Sequence, residues 1–211
     1  MRVRHFVKTL NNTEIGKGGT HEYYVLVSKK VSGIKNFFEN DDIPLSFFNL
    51  KNGGVVKSIH ITDGNEFRIN GLGDFYRINN VNAGDEIIFE RIDDSEGTKF
   101  YLNVFTKNKS VIFQKNRLGF EVLNKERLQA RSNNSILVIE AKYSNEIGQL
   151  KVEFLKSQKK RADSPFETDF YSIKFNDKDL VSDIKNNEYF ELTESNEIEK
   201  VVAWKYYEFN Y

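Results

Sequence analysis

Apolar and polar residues alternate over many short runs of this chain, and few runs repeat every three or four positions. Residues 3–10 and 22–29 alternate and read as strands. Between them lies a polar stretch of Asn, Thr, Gly and Lys, too long for a tight hairpin turn. "SKKVSGIKNFF" (28–38) reads as a short helix, with Ser28 as its cap and Val31, Ile34, Phe37 and Phe38 at helical spacing. "PLSFFNLKNG" (44–53) and "VVKSIHIT" (55–62) read as strands, and Asp63, Gly64 and Asn65 as a turn. "EFRIN" (66–70), "GDEIIFERI" (84–92) and "KFYLNVF" (99–105) follow as strands, the last two paired across a turn at 93–97. "SVIF" (110–113) is placed to close that sheet. Many short strands at close spacing predict a barrel or a sandwich, not alternating βαβ units.

The later residues read differently. "FEVLNKERLQAR" (120–131) predicts a helix and "SILVIEAKY" (135–143) a strand. Residues 145–161 fit either: Ile147, Leu150 and Phe154 suit a helix, whereas "QLKVEFL" suits a strand. "DFYSIKFN" (169–176) and "KVVAWKYYEF" (200–209) are strands. A boundary near 114–119 divides a first block, 1–115, from a second, 116–211.

Composition supports this picture. Eighteen Phe and ten Tyr against one Met and one Trp suit pleated, half-buried surfaces. The absence of cysteine excludes disulfides, thiolate metal sites and a cysteine nucleophile. No apolar run is long enough to cross a bilayer, and the first residues lack the apolar core of a signal peptide, so a cytoplasmic location with no membrane association is expected. Net charge is zero but unevenly spread. Residues 1–100 hold 13 basic and 14 acidic residues; 101–162 hold 13 and 5, a net +8; 163–211 hold 5 and 12, a net −7. The basic segment suits an anionic partner or a solvated face.

"KTLNNTEIGKGGTHEYYVLVSKKVSGIKNFF" resembles the N-terminal effector domain of the restriction endonuclease EcoRII. The shared pattern is Lys8, the polar run Asn11, Asn12, Thr13, then Gly16, Gly18, Gly19 and His21, followed by a strand and a helix. The family's Asn-Asp-Thr-Gly stands here as Asn-Thr-Glu-Ile-Gly. "EFRINGLGDFYRI" (66–78) resembles that family's second DNA-contacting arm, a polar hairpin. "NVNAGDEIIFERI" (80–92) resembles a strand of the plant DNA-binding pseudobarrel transcription factors, which share the fold. The resemblance covers about residues 4–113. It implies a mainly β fold with short helices (α+β), a DNA-binding pseudobarrel of about seven strands over 1–115; residues 116–211, which match nothing in that family, read from their own pattern as an accessory α/β extension.

It also implies two arms gripping a duplex. The major groove admits a ribbon or loop edge, and its base edges carry a distinct donor and acceptor code. The first arm offers Lys8, Asn11, Asn12, Thr13, Lys17, Gly18, Thr20 and His21, its glycines allowing close backbone approach to phosphate. The second offers Glu66, Arg68, Asn70, Asp74, Tyr76 and Arg77. Alternation puts Glu66, Arg68 and Asn70 on one face of the strand and Phe67 and Ile69 on the other. A plain polar loop and an ordinary amphipathic edge strand are the alternatives. Arg2 and Arg4, and the run Lys107, Lys109, Lys115 and Arg117, suit phosphate contacts or simple solvation.

Glu140 and Lys142 end an apolar strand as Glu-x-Lys, the second half of the metal site of one nuclease superfamily, in which carboxylates hold magnesium and Lys activates water. Gln149 follows, and the upstream acids on offer are Glu121 and Glu126. His5, His21 and His60 lack ligand spacing, and neither "GLGDF" nor "GKGG" continues as a phosphate loop. The function that the resemblance implies is sequence-specific recognition of double-stranded DNA within a bacterial restriction-modification system. The expected partner is a nuclease or nucleotide-dependent translocase domain or subunit, with no cofactor or metal in this chain. A metal-dependent endonuclease using Glu140 and Lys142 is the alternative, and a structural or protein-interaction domain the third reading.

Overall fold

The structure is a computed structural model. It describes residues 1–17, 23–28, 31, 33–39, 46–56, 59–64, 66–132, 136–160, 162 and 164–211. In chain order the elements are β1 (Arg2–Thr9), β2 (Tyr24–Val27), α1 (Ile34–Phe38), β3 (Phe47–Asn49), β4 (Val55–Val56), β5 (His60–Asp63), β6 (Phe67–Asn70), α2 (Gly73–Asn79), β7 (Glu86–Asp94) and β8 (Gly97–Phe105). There follow β9 (Val111–Asn116), β10 (Gly119–Val122), α3 (Lys125–Arg131), β11 (Ile136–Tyr143), β12 (Glu146–Lys159), β13 (Glu167–Phe175), β14 (Lys178–Asp179), β15 (Glu188–Leu192), β16 (Glu197–Val202) and β17 (Trp204–Asn210). The fold is mainly β with short helices, as the alternation predicts. Among the described residues no helix is long and apolar enough to cross a membrane.

The chain forms two compact units: Met1–Thr106 with Trp204–Tyr211, and Lys107–Ala203. The division thus falls nearer the N-terminus than 115/116, and the last strand returns to the first unit. "KVVAWKYYEF" is two strands, not one. Ala203, buried and bonded through its N–H to the carbonyl of Asn187, separates β16 from β17.

In the first unit, β17, β1, β7, β8, β3 and β4 form one sheet in that order. β1 lies between β17 and β7, antiparallel to both, and so is no edge. Its arginines turn to neighbours: Arg2 makes two bonds to Glu208 (3.0 and 2.9 Å), and buried Arg4 reaches Asp93 at 2.5 Å. β2, β6 and β5 form a second, three-stranded antiparallel sheet. "VVKSIHIT" is therefore split: β4 joins the large sheet and β5 the small one. α1 begins only at Ile34, so Ser28 does not cap it; the Ser28 carbonyl instead accepts from Val31. Phe38 of α1 touches Phe6 and Phe89 of the large sheet and Phe67 of the small one, with centroids 5.5–6.5 Å apart. These rings, together with Phe37, Phe47 and Phe100, fill the core between the sheets.

The second unit closes on itself. β10, β9, β15, β16, β11, β12 and β13 pair in turn, and β13 pairs back to β10 through Phe120 with Tyr171 and Glu121 with Phe170. "SVIF" belongs to this ring and not to the first sheet. Residues 120–131 are half strand and half helix. The Asn124 side chain accepts from the Ile112 N–H (3.0 Å) and donates to the Ser110 carbonyl, tying the chain to β9 so that α3 starts after it. Residues 146–159 settle as strand, because Ser144 and Asn145, both at positive φ, make the two-residue turn of a β11–β12 hairpin. Phe113, Phe120, Leu150, Val152, Ile173, Phe190 and Leu192 fill the ring.

Candidate nucleic-acid interface

Residues 11–17 of the first polar segment form compact turns. The Asn11 side-chain oxygen accepts from the N–H groups of Thr13 (2.9 Å) and Glu14 (3.0 Å), a local bond that stabilises a turn. Glu14 then enters the interior, where it is 1% exposed. Its Oε2 accepts from Lys8 Nζ and from the Asn11 N–H, both at 2.9 Å, and its Oε1 accepts from the Leu26 N–H at 2.9 Å. The Glu14 carbonyl accepts from Tyr24 as well. The turn is thus anchored to β2. Lys8 is 4% exposed and also donates to the Thr9 carbonyl (2.6 Å), so it is withdrawn from the contact surface: its ammonium neutralises Glu14. Asn12 and Thr13 are half-buried in the turn and Lys17 is exposed. Gly18, Thr20 and His21 lie outside the described residues.

The second segment is a strand followed by a helix, not a hairpin. Leu72, Phe75 and Tyr76 are buried at helical spacing, and Asn80 in the left-handed region (φ 53°) ends α2. Tyr76 is withdrawn with them. It is 3% exposed, its hydroxyl has no hydrogen-bond partner among the described residues, and burial, reinforced by the nearby Glu14 charge, pushes the phenol well above its usual value. Asn70 is also buried, its amide donating to Thr62 Oγ1 (3.3 Å) and towards the His60 carbonyl (3.5 Å), so it is not on a reading face.

What remains accessible is Glu66 and Arg68 in one place and Asp74 and Arg77 in the other. Arg68 Nε donates to Glu66 at 2.9 Å, and the guanidinium lies 4.8 Å from the centre of the Tyr24 ring. Asp74 and Arg77 pair one turn apart on α2. Exposed pairs of this kind are worth about 0–1 kcal/mol.

Glu140 and Lys142 are exposed on β11, and Lys142 is engaged by Glu197 at 3.0 Å. Gln149 lies opposite Glu140 across the β11–β12 ladder. Glu121 is buried and paired with Lys160, and Glu126 is exposed in the first turn of α3. Among the described residues no three His, Asp or Glu side chains stand together as a metal site. Of the basic run, Lys107 pairs with Glu191, exposed Lys109 with Glu194, and Lys115 donates to the Ile184 carbonyl; Arg117 is exposed as well.

The residue that sequence reasoning missed is Glu14. Its signal was the Asn11-x-x-Glu14 spacing, in which an amide and a carboxylate each serve backbone N–H groups at the start of a turn. Compared with known proteins, the chain matches no family model and no curated sequence.

Proposed function

We propose that the first unit is the target-recognition module of a bacterial restriction-modification system, a pseudobarrel of the EcoRII effector type that binds double-stranded DNA by sequence. The observation that carries this reading is a shared foundation. The turn at residues 11–17 is fastened through Glu14 to β2, and β2 is hydrogen-bonded to β6, whose hairpin with β5 leads through Glu66 and Arg68. Two polar projections from one small, rigid sheet suit a grip on a duplex, because base readout requires side chains held in fixed register. Arg68 and Glu66 take the base-reading role, Lys17 and Arg77 the phosphate role, and Asn11, Asn12 and Thr13 shape the first arm. The module acts in the cytoplasm with a nuclease or nucleotide-dependent translocase domain or subunit.

A selection from random duplexes, followed by titration at two salt concentrations, tests this. A defined site and a steep fall in affinity with salt are expected, since phosphate contacts release counterions. Arg68→Ala relaxes preference at one or two base pairs by about 1–3 kcal/mol. Lys17→Ala weakens all duplexes alike. Absence of duplex binding at low salt overturns the proposal.

A further inference from the structure

β12 outlasts its partner in the ring. Its pairing with β11 ends where Glu153 meets Ile136. Beyond that point β12 pairs with β13 alone, as far as Lys159 opposite Glu167. Within a sheet that covers a core, exposure alternates; here every residue from 154 to 159 is exposed. At Phe154 and Lys156 β13 is still paired on its other side with β10, and from Ser157 to Lys159 the pair continues as a two-stranded ribbon. A bulge at Leu155 re-aims it.

Cations and an aromatic surface meet on this ribbon. Lys156 and Lys159 make no ion pair among the described residues. Arg117, also exposed and without one, sits in the β9–β10 turn next to the bulge: a Cβ on Gly119 would lie 3.2 Å from the Leu155 side chain. Phe154 is 41% exposed and meets Tyr171 edge-on, with centroids 5.9 Å apart. Between the ribbon and α3 lies a cleft of about 350 Å3, open to solvent. It is lined by Lys125, Gln129, Phe154, Ser157, Asp169 and Tyr171. The size is within the range of small-ligand clefts, roughly 300–1,000 Å3. Its polar floor is ordered: Asp169 accepts from Ser157 Oγ at 2.5 Å and from Lys125. Burial pushes the Asp169 carboxyl up, but these two bonds outweigh it and hold the group below its usual value, so it is an anionic acceptor at neutral pH.

A flat ring bearing donors and acceptors suits the cleft, and regularly spaced anions suit the ribbon. An unpaired nucleic-acid strand carries both, and proteins that hold such strands combine a cationic track with aromatic platforms. We propose that the second unit binds an unpaired nucleotide of a DNA strand. The base packs on Phe154 with its edge towards Asp169, Ser157 and Gln129, and the flanking phosphates lie on Lys156, Lys159 and Arg117. This goes beyond the duplex reading, which uses only the first unit.

Fluorescence anisotropy on the full chain tests it with three probes: a 12-nucleotide oligothymidine, an abasic strand of equal length, and a random duplex. Oligothymidine is expected to bind more tightly than the abasic strand. Phe154→Ala weakens oligothymidine roughly 5- to 150-fold, leaves the abasic strand unchanged, and is rescued by Phe154→Tyr. Lys156→Ala with Lys159→Ala weakens both strands and flattens the salt dependence. Phe154 is largely exposed, so its truncation spares the core, and the thermal melt serves as the check. The proposal is overturned if Phe154→Ala leaves oligothymidine affinity unchanged, or if the abasic strand binds as tightly. Single-strand binding lost in Arg68→Ala and kept in Phe154→Ala also overturns it, while leaving the duplex reading in place. Binding of oligothymidine through Phe154 without any duplex binding sustains this proposal and removes the other.

Discussion

The two units differ in which polar side chains they keep outside. In the first, residues with the chemistry of DNA contact are drawn inward: Lys8 holds Glu14, Asn70 stitches β6 to β5, and Tyr76 packs with its hydroxyl unpartnered. In the second, the closed strand ring leaves a ribbon outside it, and Lys156 and Lys159 extend into solvent. An open pair of sheets has room between them and needs internal bonds to hold its connecting turns. A closed ring satisfies its backbone by pairing, so its excess strand is free for surface chemistry. Charge counts alone do not distinguish the two outcomes, because Lys, Asn and Tyr serve either environment.

The largest effect should come from breaking the inward arrangement. Glu14→Ala removes the buried carboxylate that pairs with the Lys8 ammonium and accepts from the Asn11 and Leu26 N–H groups. A loss of roughly 3–5 kcal/mol is expected, read by denaturant unfolding. Hydrogen exchange should place the lost protection in β1, β2 and β6. A loss below about 1 kcal/mol would mean that the turn is not anchored through Glu14.

The next test addresses closure of the second unit. Gly119 has φ +129°, and a Cβ there would stand 2.7 Å from the Tyr171 carbonyl oxygen. Gly119→Ala should cost about 1–3 kcal/mol from the backbone angle alone and weaken the pairing of β10 with β13. Unchanged protection of the Phe120 and Tyr171 amides would argue against a ring held shut at that seam.

Acid should weaken the first unit through Asp93, as it should the second through Asp169. Burial pushes its carboxyl up, yet hydrogen bonds from Thr98, Arg4 and Arg91 outweigh this and bring it below its usual value. A carboxylate depressed on folding adds stability that is present above the unfolded aspartate value, about 3.9, and is lost as pH falls through the lower folded value. Asp93→Asn should therefore be clearly less stable than the wild type at pH 7 and approach it near pH 3. A stability difference that does not shrink on acidification would show that Asp93 is not held ionised by these partners. Arg77→Ala should give the smallest effect, within about 0.5 kcal/mol, since the pair with Asp74 is exposed. A larger loss would mean that α2 depends on that pair.

Local pattern carried much of the fold. The β7–β8 hairpin, β11 and the strand character of 169–176 are visible in alternation because their partners lie nearby in sequence. Closure of the ring is not, since it joins Phe120 to Tyr171 across fifty intervening residues of other elements. Nor is the return of β17, whose residues read as a continuation of β16 until Ala203 is seen buried between them. At the candidate site, alternation placed Arg68 correctly on an accessible face and misjudged Asn70. Both lie beside β5, but Asn70 turns its amide to Thr62 Oγ1 and is buried, and no local signal announces that bond. The helix at 73–79 was readable from Leu72, Phe75 and Tyr76 at helical spacing, but the resemblance of 66–78 to a hairpin arm pointed elsewhere.

Because Arg2 lies opposite Asn210 and Lys8 opposite Trp204, the first unit cannot be completed until the whole of the second has been synthesised. A nascent chain emerges from its N-terminus, so β1 can pair with β7 early while its other side stays bare. The barrel, whose strands are all contained between Lys107 and Ala203, has all its partners first. The order of assembly is thus opposite to the order of the sequence. The bare side of β1, a row of unpaired amides and carbonyls beside Val3 and Val7, is where two growing or partly unfolded copies would join edge to edge.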